Sequence, residues 1–372
     1  MIVYLTYNDL PSGIYSSQVI DVVNFIRVDL RSEIRLVAFI SLRYFIQNKK
    51  KIRKEMPDAI VLPMFPGVKR WRKNAFLLKT ICKRLKADKI IGRSVLATQL
   101  ALLTGIKNVI YDGRGAIAHE WKEYKVITDP GMLSVITELE KECILKSSFR
   151  IAVSEAMIEL WKKEYEYVSN KHVVIPCTLN AYFEKISINA ERILAARKKI
   201  GIKKENVVYV FSGSVAGWQS IQMLKEFMTP VLSANKNAKL LFLTRANETI
   251  RSFQNEFNDQ ISCFELKPKE VAEILIAADY GLLIREQSIT NKVASPVKFA
   301  EYLACGLKVI ISENLGDYSD FIQKYDAGSI FTKFNKQAEM IPMTEKKRLR
   351  ELALKHFTKK EYREQYKQVI SI

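Results

Sequence analysis

One pattern runs through the whole chain: a short apolar, β-branched run closed by polar residues, then an amphipathic helical stretch, then another such run. The first series starts with IVYLTYN at Ile2 and continues with IRLVAFI at Ile34, AIVLPMF at Ala59, KIIGRS at Lys89, NVIYDGR at Asn108, RIAVSE at Arg150 and HVVIPC at His172. A second series comprises NVVYVFSGS at Asn206, KLLFLTR at Lys239, ISCFELK at Ile261, YGLLIR at Tyr280, KVIISE at Lys308 and AGSIFT at Ala327. Strands separated by helices return to the same edge of a sheet and pair in parallel, so the expected class is α/β.

Between the series, the stretch from Pro176 to about Lys204 loses the strand pattern and carries the helix-like NAERILAARKKIGI, which puts an interdomain junction near residues 177–190. A chain of 372 residues exceeds one ordinary α/β core and suits two. The expected domains are 1–178 and 190–343, with a charged helical tail at about 345–372 packing back on the first. Hydrophobic residues make up 48% of the chain, with only 14 Gly and 10 Pro and no biased tract, so both domains should be fully folded.

Five cysteines, Cys82, Cys143, Cys177, Cys263 and Cys305, are far apart and form no CxxC or Cys/His ligand spacing, which fits a reducing cytosol and no bound metal. The first residues, MIVYLTYN, lack a basic segment followed by an apolar one, and no stretch approaches ~18 consecutive apolar residues. A cytoplasmic location is expected. The net charge of +19 is unevenly spread: Arg27 to Lys107 holds 20 Lys/Arg against 5 Asp/Glu, a local balance of +15. Such a face attracts phosphates of some kind, whether lipid headgroups, lipid-linked substrates or nucleic acid. KKKIRK at Lys49 and KRWRK at Lys69, with Trp71 interleaved, have the composition of an interface with an anionic membrane.

In open parallel sheets ligands gather beyond the carboxyl ends of the strands, so the polar residues closing each run are candidates for chemistry. The first half offers Asn8, Asp112 with Arg114, and Ser154 with Glu155. The second offers Ser212 with Ser214, Thr244 with Arg245, Lys267, and Arg285 with Glu286. The most informative segment is SPVKFAEYLACGLKVIIS at Ser295. Ser295 can cap a helix whose first turn contains Pro296, Lys298 lies in that turn, Glu301 lies one turn on, and Gly306 ends the helix before a strand. A helix N-terminus joined by a lysine makes a diphosphate seat, and a carboxylate one turn deeper can accept hydrogen bonds from ribose hydroxyls. From spacing alone, Lys298 and Glu301 equally fit an exposed ion pair.

PVKFAEYLACGLKVI resembles the P-x-K-x-x-E-Y-L-A-x-G-x-P-V-I segment of GT-B glycosyltransferases, in particular the retaining family four (group 1) enzymes. SGIYSSQVIDVVNFI at Ser12 resembles the Gly-containing loop and helix that follow their first strand, and NVIYDGRGAIAHEW their D-x-R-G-x-x-x-x-E segment. VVIPCTLNAYF is similar to their interdomain linker, and YVFSGSVAGWQS to the first strand and loop of their nucleotide domain. The resemblance covers about residues 1–330 and implies two Rossmann-like domains facing each other across a cleft. It also implies transfer of a sugar from a UDP- or GDP-linked donor to a hydroxyl on a glycan or lipid-linked glycan, of the kind used in bacterial surface polysaccharide or glycolipid assembly.

On this reading Lys298 and Arg285 stabilise the departing diphosphate, with Arg245, Lys267, Ser214, Trp218, Ser295 and Glu301 also on the donor. Gly13 contacts the donor from the first domain and borders the acceptor. Asp112 serves as general base or sugar-hydroxyl contact, with Arg114, His119 and Glu120 on the acceptor side. Two positions depart from the family pattern: Val293 stands where a first Glu precedes Glu301 by eight residues in sequence, and SGSVAGWQ lacks the usual Arg and Lys. The sequence contains no D-x-D triplet, so protein cations, not a metal, are expected to carry the leaving-group charge. A nucleotide-sugar epimerase on the same scaffold and a non-catalytic nucleotide-sugar or nucleic-acid-binding protein remain alternatives. No nucleic-acid-binding motif is present, and SGSVAG lacks the G-x-G-x-x-G spacing of a nicotinamide site.

Overall fold

The computed structural model describes residues 1–214, 217–334 and 338–372, the side chains of Trp218 and Pro268 excepted. The chain divides into two compact units, residues 1–180 with 359–372, and residues 181–358.

The first unit is built on seven strands in the order β3-β2-β1-β4-β5-β6-β7: β1 Ile2–Tyr7, β2 Ile34–Ser41, β3 Ile60–Met64, β4 Lys89–Arg93, β5 Asn108–Asp112, β6 Phe149–Ala152 and β7 His172–Val174. The second has six in the order β10-β9-β8-β11-β12-β13: β8 Val207–Ser212, β9 Ala238–Leu243, β10 Ile261–Cys263, β11 Tyr280–Leu283, β12 Lys308–Ile311 and β13 Gly328–Ile330. All pairings are parallel. The alternating pattern therefore folds as its periodicity dictates. Strands such as β1 and β8 are buried at every residue because helices cover both faces of the sheet.

In both sheets the strand order reverses beside the first strand, next to β4 in one and β11 in the other. These are the switch points at which the loops diverge and leave a crevice. A core of β1, β2 and residues 15–26 fills one side of the first sheet, and aromatic and aliphatic residues of β8, β9 and the Ile221–Ala234 helix fill one side of the second.

The single tail helix expected from sequence is two helices in two units. Met343–Phe357 packs against the Val297–Ala304 helix in the second unit, whereas Arg363–Ser371 lies on β6 and β7 in the first, with Tyr366 against Phe25. Opposite the switch point of the second sheet, Asp279 is 1% exposed; it accepts from Arg197 at 2.9 Å and from the Val208 amide at 3.0 Å, and Lys346 lies 3.5 Å away. This ionic knot fixes the amino ends of β8 and β11.

Candidate nucleotide and acceptor sites at the two switch points

In the second unit, Gly306 ends the Val297–Ala304 helix with a φ of +79°. The Gly306 amide donates to the Leu303 carbonyl and the Leu307 amide to the Tyr302 carbonyl, the paired closure that a left-handed residue permits. The other end differs from expectation. Pro296 occupies the cap position and makes no side-chain hydrogen bond there, while Ser295, expected as the cap, is 2.8 Å from the Tyr318 hydroxyl. Proline fixes φ without needing an N–H, so the helix starts there unaided.

Tyr302 anchors this helix to the sheet. Its ring lies over Gly281, where an added Cβ would come within 2.3 Å of it, and its hydroxyl accepts the Ser212 amide at 2.9 Å. The bond holds the carboxyl end of β8, where Gly213 turns with a φ of +126°. Lys298 reaches into this turn. Its ammonium donates to Gln219 Oε1 at 3.1 Å and lies 4.5 Å from the centre of the Phe211 ring. A Cβ on Gly213 would meet Lys298 Cε and Nζ at 2.3 Å, so glycine is what leaves room for the cation.

The exposed ion pair that spacing alone allows does not form. Among the described residues, Lys298 has no carboxylate within 4.0 Å, and the Glu301 carboxylate makes no hydrogen bond or ion pair. Burial, reinforced by the charge of Arg285 and opposed by Glu301, holds the Lys298 ammonium well below its usual pKa. Burial raises the Glu301 carboxyl to about 7 against the pull of Lys298. Arg285, 6% exposed at the end of β11, is oriented by Asn291 Oδ1 at 3.2 Å and by Ser312, whose hydroxyl accepts the Arg285 amide at 2.7 Å. Two cations thus share a partly buried place with no carboxylate on Lys298, an arrangement that favours an anion.

The other residues assigned to the donor lie elsewhere in these loops. Arg245 and Lys267 are exposed at the ends of β9 and β10, on the far side of β8 from β11, and neither forms a hydrogen bond or ion pair with Lys298, Arg285 or Glu301 among the described residues. The Lys267 amide donates to Glu270 and starts the Pro268–Leu275 helix. Ser214 is exposed in the loop after β8, and the Trp218 side chain lies outside the described residues. Gly13 belongs to the first unit, where it opens the helical run 13–29. Val293 is 2% exposed in the core and offers no polar group there.

In the first unit Asp112, expected as general base or sugar-hydroxyl contact, is engaged by groups of its own unit. Asp112 is fully buried, with the Tyr4 hydroxyl donating to it at 2.5 Å and Arg114 2.8 Å away. So engaged, the carboxylate orients Arg114. His119 is likewise occupied, 2.7 Å from Glu164 and 3.9 Å from Glu123. Glu120 is partly exposed on the same Ile117–Glu123 helix. That helix has a buried partner the sequence did not reveal: Glu140 accepts the amides of Ile117 and Ala118 at 2.9 and 3.0 Å. Ser154 caps the Glu155–Tyr165 helix, a structural role.

The polar group at this switch point is Asp9 with Arg93, which sequence reasoning missed. They close the adjacent strands β1 and β4 and stand 3.5 Å apart. Arg93 Nε and Nη1 and Asp9 Oδ2 are buried without a hydrogen-bond partner. Burial raises the Asp9 carboxyl pKa against the pull of Arg93. Flanking them, Asn8 and Ser94 have φ of 64° and 67°, a strained conformation for residues other than glycine that is common at binding sites. Two adjacent positive-φ positions cannot be read from residue type when one is serine.

Two domains of this strand order in one chain define the GT-B class of fold. No protein-family model matches the chain, and neither does any curated protein. Among solved structures, a sucrose-phosphate synthase from Thermosynechococcus elongatus superposes with a TM-score of 0.71 at 12% identity, covering 100% of this chain and 99% of that one. Anabaena HepE in complex with UDP gives 0.68 at 13% identity, covering 100% and 99%. A glycosyltransferase from Rickettsia africae gives 0.67 at 16% identity, covering 99% and 98%. At such identities the likeness is one of fold.

Proposed function

We propose that this protein is a glycosyltransferase that moves a sugar from a UDP- or GDP-linked donor to a hydroxyl acceptor, a glycan or lipid-linked glycan of bacterial surface polysaccharide or glycolipid assembly. The observation that carries this reading is the Lys298 ammonium, lodged over Gly213 at the switch point beside Arg285 and without a carboxylate partner. A diphosphate supplies the missing countercharge. As the bond from sugar to diphosphate breaks, negative charge grows on the leaving oxygens, and Lys298 and Arg285, already in place, stabilise that state more than the ground state. Glu301, one turn along the same helix and unpartnered, accepts hydrogen bonds from the ribose hydroxyls. No step calls for a metal, and the family resemblance favours retention of anomeric configuration.

On the acceptor side, Asp9 and Arg93 replace Asp112 and His119. The Asp9 carboxylate and Arg93 guanidinium, joined by a 3.5 Å ion pair and without a hydrogen bond on Asp9 Oδ2 or on Arg93 Nε and Nη1, can accept from one sugar hydroxyl and donate to another. Support for the reading also comes from the fold shared with proteins described as glycosyltransferases and with Anabaena HepE, solved with UDP-glucose.

The test is to incubate the protein with UDP- and GDP-sugars, a panel of glycan and lipid-linked glycan acceptors, and a chelator, and follow donor and product by NMR. Released nucleotide with a new glycosidic bond of the donor's anomeric configuration is expected. An altered sugar still attached to its nucleotide would instead identify an epimerase.

A further inference from the structure

The first unit carries a surface that its own fold leaves uncovered. β2 and β3 are neighbours at the edge of the sheet, with Ser41 opposite Met64, so the loops leaving their carboxyl ends emerge side by side. From these loops and the helices they lead into, Ile46 is 84% exposed, Phe76 75% and Phe65 65%, with Leu42, Tyr44 and Leu77 also outside. Exposed apolar residues occurring singly are ordinary; six large ones on two adjacent loops are not. Between Leu42 and Lys86 the chain carries fourteen Lys and Arg against only Glu55 and Asp58. On the Phe45–Glu55 helix, Lys50, Arg53 and Lys54 are exposed and follow Ile46 at helical spacing; on the Ala75–Leu85 helix, Lys79, Lys83 and Arg84 stand behind Phe76.

We propose that this face docks on an anionic lipid bilayer, with Ile46, Phe65 and Phe76 entering the headgroup region and the flanking cations drawn to its negative charge. The charge is complementary to acidic lipid, and the apolar residues distinguish this partner from nucleic acid. Phosphate contacts alone would need only the cations, and aliphatic Leu42, Ile46 and Leu77 offer no ring for a base to stack on. Trp71, which the sequence offers as an interfacial aromatic, takes no part: it is 1% exposed and lies beneath the Arg72 guanidinium. The docking loops sit at the carboxyl edge of the same sheet that holds Asp9 and Arg93 at β1 and β4, so a bound bilayer borders the loops of the acceptor site. The inference itself stands without the glycosyl-transfer reading.

The experiment is co-sedimentation of the full chain with phosphatidylcholine vesicles, with and without phosphatidylglycerol, across a salt series. It compares wild type with Ile46→Ser/Phe65→Ser/Phe76→Ser and with Lys50→Glu/Arg53→Glu/Lys54→Glu. All six positions are surface ones, and an unchanged thermal midpoint confirms folding. Binding that requires phosphatidylglycerol, weakens with salt and falls by roughly ten-fold or more in each variant is expected. Binding indifferent to lipid charge, binding unaffected by the serine variant, or tight binding to single-stranded DNA with none to the vesicles would overturn the proposal.

Discussion

Replacing Glu301 by Gln should stabilise the protein in a pH-dependent way while removing a donor contact. The folded carboxyl has its pKa raised from 4.5 to about 7, so the folded state holds the proton more tightly than the unfolded chain does. The contribution of Glu301 to stability is therefore fully present below 4.5 and is lost as pH rises through about 7. The rise from 4.5 to about 7 corresponds to at most about 3 kcal/mol once the group is ionised, and about 1 kcal/mol at pH 5. Partial exposure screens this value, and the loss of Glu301's support for the Lys298 charge returns part of the gain, which leaves roughly 1–2 kcal/mol. Equilibrium urea unfolding of wild type and Glu301→Gln near pH 5 and near pH 8 measures the difference. The variant should gain more at the higher pH, by about 1–2 kcal/mol. An equal difference at both pH values would refute the placement of an unpaired, buried carboxylate on this helix.

Gly213→Ala forces a Cβ to within 2.3 Å of Lys298 at a φ of +126°, and should cost about 1–3 kcal/mol in thermal unfolding and weaken UDP binding. Asp279→Ala leaves Arg197 and Lys346 buried without their shared carboxylate; a loss of about 3–5 kcal/mol should appear in denaturant titrations. Arg93→Lys and Asp9→Asn should raise the acceptor KM while UDP affinity, measured by calorimetry, stays at the wild-type value; a change in UDP affinity instead would place these residues with the donor.

Legibility in the sequence followed the physics each feature depends on. The thirteen strands among the described residues were legible because two-sided burial in a parallel sheet demands apolar runs, and the helix of Lys298 and Glu301 because its apolar face and its Gly306 stop are local signals. Its true cap was not, since Ser295 prefers the distant Tyr318 hydroxyl, twenty-three residues away in sequence. Polar residues at strand ends were easily identified but not ranked. Asp112 and Asp9 both stand at strand ends, and only the short contacts of Asp112 with Tyr4, from another strand, and with Arg114, two residues on, set it apart from Asp9, whose ion pair with Arg93 is a long 3.5 Å contact. Tyr302 and Gln219 were missed because their roles are set by contacts with Ser212 and Lys298, which no spacing rule encodes.

The central claim is that Lys298, Arg285 and Glu301 form a nucleotide-diphosphate site, and calorimetric titration of UDP, GDP, dTDP and CMP sugars into wild type, Lys298→Ala, Arg285→Ala and Glu301→Ala tests it most directly. At least one UDP or GDP sugar should bind wild type, with affinity falling by roughly ten-fold or more in each variant, as expected for the loss of a charged contact. Absence of binding by all four nucleotide classes, or binding that all three variants retain, would contradict the account.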